Sequence, residues 1–313
     1  MLVALLLALA AAAPLEASRA APFAYVPNEG SGTVSVIDTA GDQVLAEIKV
    51  GRKPRGLVAS LDGARLFVSD QPSNRLVIVD LATRKVAGEV TLGASPEGVG
   101  ISPDGKWLAA ASEEANHVAF IDTTTGREAF TVKVRGKNPE HAVFSPDGRT
   151  VYASAEDDDT LEVIDVSSRS QTAQIKVGQR PRGIGFSPDG ARAYVAAEND
   201  DHLYVIDTAT RSVLARVPAG KRCNGIAVHP SGAWVYVSNG GDGDVSVLDT
   251  RTNTFVARIP TGRRPWNMAL TPDGGKLYVA NGRSNNVSVI DTARNVKLKD
   301  VAVGELPWGV AVR

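Results

Sequence analysis

Short apolar segments alternate with polar turns along nearly the whole chain. Residues 183–187, 193–197, 202–207 and 212–217 are apolar segments of one such stretch, with brief polar breaks between them. Strands of five or six residues that are separated by short turns predict an antiparallel meander. The break at residues 187–190 reads Ser-Pro-Asp-Gly, in which Pro fixes φ and Gly accepts a positive φ, so it predicts a tight turn.

This four-strand unit recurs at intervals of 42 or 43 residues. A near-constant period of this length with four strands per unit is typical of β-propeller blades. We expect the aspartate that ends each third strand to accept backbone N–H bonds in the following turn, which is a structural role. These aspartates are Asp38, Asp80, Asp122, Asp165, Asp207, Asp249 and Asp291.

The two ends of the repeat region complement each other. Residues 23–27 form a second-type strand that lacks a first strand before it, and residues 308–312 form a first-type strand that lacks a second after it. Pairing them would complete a seventh blade and leave no open sheet edge. The sequence therefore predicts an all-β, seven-bladed β-propeller of four-stranded antiparallel blades, closed by N- and C-terminal strands that share one blade.

The N-terminal segment differs from the repeats. Residues 1–14 are almost purely Leu, Ala and Val, and Ser18-Arg19-Ala20 follows them. An apolar run of this length suits a signal peptide better than a membrane span. We predict a signal peptide at 1–20, cleaved after Ala20, and a propeller at 21–313; an uncleaved anchor is the alternative. We expect a periplasmic or secreted monomer with no membrane span after cleavage.

Charge and composition exclude several function classes. The 34 basic and 35 acidic residues give a net charge of -1, which does not favour nucleic acid. The single cysteine, Cys223, is expected to be a small buried side chain, and the absence of a CxxCH excludes attachment of a c-type haem. His117, His141, His202 and His229 fall in three different registers of the repeat, so we expect neither a metal site nor a cofactor.

The most variable positions of the repeat lie in the connections between blades. Each connection enters an innermost strand, so the residues after its proline slot should form a ring at one mouth of the central channel. They are Arg55, Glu97, Glu140, Arg182, Asn224, Trp266 and Trp308. We predict a binding site at this ring. The alternative is that Arg and Glu pair with one another while the tryptophans plug the channel. Three acidic loops, which begin at Glu113, Glu156 and Glu198, should lie on the same face.

The repeat residues also resemble a known family. Residues 278–281 read Tyr-Val-Ala-Asn and residues 287–291 read Val-Ser-Val-Ile-Asp, which resembles the YVTN-type propeller repeat. Residues 24–29, 52–56 and 306–310 are similar to the PQQ-dependent catabolism-associated β-propeller group. That resemblance implies a periplasmic protein tied to quinoprotein alcohol oxidation.

Taken together, these features favour a non-catalytic binding or scaffold propeller that is accessory to a quinoprotein oxidation system. Its partner would be a protein or a small ligand at the channel mouth. A lactonase- or lyase-like enzyme with its site at the same mouth is the first alternative, and a pocket of perturbed carboxylates with a histidine would favour it. A cell-surface or surface-layer interaction module is the second alternative.

Overall fold

The structure is a computed structural model that describes residues 22–313. It contains 28 strands and one short 3₁₀ turn, Gln71–Ser73. The strands form seven four-stranded antiparallel sheets, which confirms the all-β, seven-bladed propeller. The predicted signal peptide at 1–20 and its cleavage site lie outside the described residues.

The blades are numbered I to VII around the ring, and the strands in chain order. The first three strands belong to blade VII and are β1 (Phe23–Asn28), β2 (Thr33–Asp38) and β3 (Gln43–Lys49). Blades I to III are β4 (Pro54–Ala59), β5 (Arg65–Asp70), β6 (Arg75–Asp80), β7 (Lys85–Thr91); β8 (Pro96–Ile101), β9 (Trp107–Ser112), β10 (His117–Asp122), β11 (Arg127–Lys133); and β12 (Pro139–Phe144), β13 (Thr150–Ala155), β14 (Thr160–Asp165), β15 (Ser170–Lys176).

The remaining strands continue in the same order. Blades IV and V are β16 (Pro181–Phe186), β17 (Arg192–Ala197), β18 (His202–Asp207), β19 (Ser212–Pro218); and β20 (Cys223–Val228), β21 (Trp234–Asn239), β22 (Asp244–Asp249), β23 (Thr254–Pro260). Blade VI is β24 (Pro265–Leu270), β25 (Lys276–Asn281), β26 (Asn286–Asp291) and β27 (Val296–Ala302), and β28 (Ala311–Val312) completes blade VII.

The core lies between the blades rather than within one layer. A separate cluster of buried apolar side chains fills each of the seven interfaces between neighbouring blades. Blades crowd most closely at the axis, where a Cβ on Gly56 would stand 2.3 Å from the carbonyl oxygen of Glu97. A side chain cannot fit at that distance, so the innermost strands need glycine there.

Blade VII joins the two ends of the described chain, as the sequence predicts. Strand β28 pairs with β1 through Ala24↔Val312 and Tyr25↔Ala311, and an isolated bridge joins Asn28 to Pro307. Strand β28 is shorter than the expected strand at 308–312. The innermost strands of blades I to VI also lose regular pairing directly after their first residue, so this irregularity belongs to the repeat.

An additional polar contact fastens blade VII to blade VI. Asp42, which is 8% exposed, accepts hydrogen bonds from Lys276 Nζ at 2.9 and 2.8 Å and from the Tyr278 hydroxyl. Burial and the hydrogen bond to Asp42 raise the pKa of Tyr278, so the hydroxyl keeps its proton and donates. We call this contact, made by Asp42, Lys276 and Tyr278, the closing latch.

The recurring aspartates have the predicted structural role. Asp38 accepts backbone N–H bonds from Ala40 at 3.2 Å and Gly41 at 3.0 Å, and Asp207 accepts one from Thr210 at 2.7 Å. The bond from the Thr210 backbone lowers the pKa of Asp207 because it stabilises the carboxylate form. These carboxylates cap turns on the face opposite to the channel mouth.

Candidate functional site

The channel mouth is built from two sets of equivalent positions. The first is the channel-mouth ring, which holds the seven residues predicted from the sequence. Six of them follow the proline slot at the start of an innermost strand, and Trp308 follows Pro307 in the segment before β28. The second, the loop ring, holds the first residue after each second strand. Its members are Glu29, Gln71, Glu113, Glu156, Glu198, Gly240 and Gly282. The two rings meet, as the 3.2 Å contact between Arg55 Nε and Glu29 Oε2 shows.

Arg182 holds together the charged part of the mouth. Its guanidinium forms ion pairs with Glu140 and Glu156, and its Nε lies 3.5 Å from Glu198 Oε2. Glu140 and Glu198 are almost fully buried, at 2% and 1% exposed. Three carboxylates from blades III and IV therefore depend on one guanidinium for much of their compensating charge.

Glu198 attracts further arginines from the neighbouring blades. Arg264 Nη2 donates to Glu198 Oε1 at 2.6 Å, and the Nε atoms of Arg180 and Arg222 lie at 3.6 and 4.0 Å. Burial raises the pKa of Glu198, but the positive charges of Arg182, Arg264 and Arg180 outweigh it, so the pKa is lowered. Glu198 is therefore ionised at neutral pH.

A second charged cluster spans blades VII, I and II. Arg55 pairs with Glu97 as well as with Glu29, and Lys53 Nζ lies 3.2 Å from Glu29 Oε1. Gln71 Nε2 also donates to Glu97, at 2.5 Å. Burial raises the pKa of Glu97 to about 7, and the charge of Arg55 only partly opposes this effect. Glu97 thus titrates near neutrality although an arginine contacts it.

The charged members of the ring therefore pair with one another. This pairing is part of the alternative that the sequence left open beside a binding ring. The acidic run in blade III behaves as a turn: Asp158 Oδ2 accepts the Lys137 backbone N–H at 3.1 Å, and Asp159 Oδ1 accepts that of Arg180 at 3.1 Å. No cluster of three or more His, Cys, Asp or Glu side chains with metal-binding geometry occurs among residues 22–313.

Trp308 points into the channel. It is 7% exposed, and its indole stacks on the His141 ring with 5.4 Å between ring centroids and an interplanar angle of 16°. Burial and the charge of Arg182 lower the pKa of His141 to about 3, although a hydrogen bond with Asn267 opposes the shift. His141, Asn267 and Trp308 together line a cavity of about 150 Å³. This trio is the channel plug, and its histidine is neutral.

Trp266 lies in the mouth instead. It is partly exposed, and its ring covers Gly282, where a Cβ would stand 2.5 Å from Trp266 Cε3. Within the part of the chain that the structure describes, no stacked aromatic pair joins Trp266 to Trp308. The two tryptophans occupy equivalent positions but have different neighbours: Trp308 stacks on His141, and Trp266 lies over Gly282.

Sequence reasoning missed part of the mouth. His141 and Asn267 replace the glycine that five other blades carry at this register, and that substitution was the available signal for the channel plug. Arg264, in the connection that precedes blade VI, reaches Glu198 across two blades, and this contact was not predicted from the sequence.

Cys223 is fully buried, as the sequence predicts. Its Sγ lies 3.3 Å from the Ala197 carbonyl oxygen, and burial raises the pKa of the thiol to about 12. The thiol is therefore protonated at neutral pH and shielded from solvent. Across residues 22–313 there is no helix of the length and hydrophobicity that a membrane span requires.

Two family models match the chain. The model described as YNCE-like beta-propeller matches residues 2–211, well over half of the chain. The model described as Lactonase, 7-bladed beta-propeller matches residues 141–303, slightly more than half. The narrower resemblance to the PQQ-associated group stays a prediction. No curated protein matches the chain.

Solved structures share the fold over almost the whole chain. A chain described as Kuenenia stuttgartiensis Hydrazine Synthase is 25% identical, with a TM-score of 0.80, and the match covers 91% of this chain and 99% of that one. A functionally unknown protein from Desulfotomaculum acetoxidans DSM 771 is 18% identical, with a TM-score of 0.82 and coverage of 93% and 98%. The second match shows the fold alone.

Proposed function

The chain belongs to the YNCE-like β-propeller family, and from this premise we propose that it is a non-catalytic binding or scaffold protein whose channel mouth holds its ligand or partner. A rigid scaffold that presents variable loops at one face is suited to recognition, because little conformational entropy is lost on binding.

The observation that carries this proposal is the contrast between paired charges and one open aromatic side chain. Arg55 and Arg182 form ion pairs with the carboxylates around them, and these pairs join neighbouring blades at the mouth. Trp266 stays partly exposed, and its ring lies over Gly282, which has no side chain to cover it. An exposed tryptophan on a rigid frame is a common anchor of protein interfaces.

The cellular setting is part of the same proposal. The apolar segment at residues 1–14 supports export to the periplasm or the exterior. The resemblance of residues 24–29, 52–56 and 306–310 to the PQQ-associated group supports a partner in a quinoprotein oxidation system. The chain would then act as a monomeric accessory protein.

The test compares Trp266→Ala with a matched loss of an exposed apolar side chain elsewhere. Leu214→Ala serves as the control, because Leu214 is 51% exposed on the outer edge of blade IV, away from the mouth. The immobilised chain is presented with a purified alcohol-oxidising quinoprotein from the same source. We expect binding by the parent and by Leu214→Ala, and at least a tenfold weaker affinity for Trp266→Ala, the loss typical of an interface anchor.

Two outcomes would contradict the proposal. If both variants bind the quinoprotein as tightly as the parent does, Trp266 and the mouth around it are not part of the interface. If the parent chain does not bind the quinoprotein, the proposed partner is wrong. If it binds no component of a periplasmic extract, the scaffold role is wrong as well.

A second candidate function has one observation in its favour. The Glu97 carboxyl, with its pKa raised to about 7, sits at the mouth as a group able to exchange protons at neutral pH. The lactonase model covers residues 141–303 and so leaves Glu97 outside the match. This alternative would be established if the parent hydrolyses a lactone with a pH–rate inflection near 7 and Glu97→Gln abolishes that activity. Inactivity of the parent on a panel of lactones would contradict it.

A further inference from the structure

Two hydrogen-bond donors on neighbouring blades of the mouth are buried without an acceptor. Asn224 is 1% exposed and its Nδ2 has no partner, and the Nε1 atom of Trp266 is also buried and unpaired. An unsatisfied buried donor costs about 1–3 kcal/mol, and native proteins seldom retain one without a reason. Two such donors in one place therefore indicate a missing acceptor.

These donors occupy equivalent positions on adjacent innermost strands. Asn224 lies on β20 and Trp266 on β24, both in the channel-mouth ring. The strands approach so closely that a Cβ on Gly225 would stand 2.5 Å from the Trp266 carbonyl oxygen. The two ring positions are therefore neighbours in space.

Two arginines lie in the same sector. Arg264 lies across the Gly240 loop, with its Cδ and Nη1 each 3.1 Å from the position of a Cβ on Gly240. Arg264 and the half-exposed Arg222 share a single carboxylate, Glu198, which already faces Arg180 and Arg182. The carboxylate of Asp242 is taken by Arg258 at 2.8 Å. Arg264 and Arg222 thus bring two guanidinium groups to this sector, whereas Arg180 and Arg182 also pair with Glu156 and Glu140.

We propose that blades V and VI form a carboxylate-binding subsite, in which Asn224 Nδ2 and Trp266 Nε1 each donate to one oxygen of the ligand. A carboxylate is an acceptor-only group with two oxygens, so it can accept from two donors at neighbouring positions and from a nearby guanidinium, that of Arg264. The exposed indole face would cover a flat apolar part of the same ligand. This inference rests on the proposed binding role of the mouth and names the chemistry that it recognises.

The probes separate a free small acid from the end of a peptide, because both carry the same group. Benzoate tests a small planar carboxylate, N-acetyl-phenylalanine tests a peptide C-terminus, and benzamide is the neutral isostere of benzoate. We expect the full chain to bind benzoate and not benzamide in calorimetric titrations. Binding of N-acetyl-phenylalanine more tightly than benzoate would support the carboxylate site and identify its source as a peptide.

The variants remove the donors one at a time. Trp266→Phe keeps the ring and deletes the N–H, and Asn224→Asp keeps the shape and replaces the donor with a carboxylate. We expect either change to weaken the affinity for benzoate roughly tenfold to a hundredfold, which is the range for one hydrogen bond to a charged group. Asn199→Asp is the control, since it makes the same change at an exposed position of the blade IV loop.

The outcomes distinguish this inference from the broader proposal. Loss of benzoate binding in both donor variants, with Asn199→Asp unchanged, supports the subsite, and the thermal midpoint of each variant checks its folding. No binding of either acid, or equal binding of benzoate and benzamide, overturns the carboxylate subsite. If Trp266→Ala still weakens binding of the protein partner in that case, the mouth keeps its proposed binding role without a carboxylate subsite.

Discussion

The two sectors of the channel mouth use the same register of the same repeat in opposite ways. On blades I to IV the ring residues Arg55, Glu97, Glu140 and Arg182 pair with one another and with the loop ring. On blades V to VII the equivalent residues Asn224, Trp266 and Trp308 make no ion pairs, and two donors lack acceptors. Ion pairs therefore hold the first sector together, whereas the second sector, on which the proposed binding role rests, has none among its ring residues.

The largest expected effect comes from Arg182→Met, which keeps the volume and removes the charge. Three carboxylates would then lose their main shared partner, and breaking a buried pair in this way costs about 3–5 kcal/mol. We expect that loss in urea unfolding at pH 7.5. It should shrink at pH 5, because the uncompensated carboxylates can then accept protons.

The matched change in the other sector is Asn224→Ala, at the same register. It deletes an unpaired buried donor, so we expect the free energy of unfolding to change by less than about 1 kcal/mol. Equal losses in Arg182→Met and Asn224→Ala would show that the two sectors do not differ in this respect.

The next effect separates the two tryptophans. Trp308→Ala empties the channel plug beside His141, so we expect a loss of about 3–4 kcal/mol in thermal or urea unfolding. Trp266→Ala should cost less than about 1 kcal/mol, since its ring is partly exposed. A similar loss in both variants would mean that Trp266 is as structural as Trp308.

The last contrast is a change in pH dependence. The pKa of Glu97 is about 7 in the folded state against its ordinary 4.5, so the unfolded chain releases this proton first as the pH rises. The Glu97 contribution therefore lowers the free energy of unfolding between pH 4.5 and about 7 and is constant above that range. The full penalty is on the order of 3 kcal/mol.

Glu97→Gln removes this titration while keeping the shape of the protonated acid. We expect the stability difference between the variant and the parent to grow in favour of the variant from pH 4.5 to 7, as measured by urea unfolding at several pH values. A difference that stays flat across this range would show that Glu97 is an ordinary carboxylate, held ionised by Arg55.

The sequence predicted the frame of the mouth but not the directions of its side chains. The repeat period defines the blades, and the complementary ends at residues 23–27 and 308–312 predict the closure that β1 and β28 form. The positions of the seven ring residues follow from the same period. These features are local or periodic, so they can be read from one chain without knowledge of its contacts.

The remaining features depend on residues that are distant in the chain. Arg264 passes close to Gly240, which has no side chain, on its way to Glu198, and the two partners are 66 residues apart. Trp308 turns into the channel because His141, from a blade on the other side, offers a ring to stack on. The sequence leaves such choices open, since they are decided by which side chains meet across blades.

The closing latch has a consequence for how the molecule unfolds. Asp42 binds Lys276 and Tyr278 across the interface at which an open array of repeats would have its two free ends. In an open array the terminal repeat has one neighbour and can fray alone, whereas every blade of a closed ring has two. Releasing any blade then breaks two of the seven buried interfaces at once. The ring should therefore unfold as one cooperative unit, and a defect on any blade should loosen the whole mouth together.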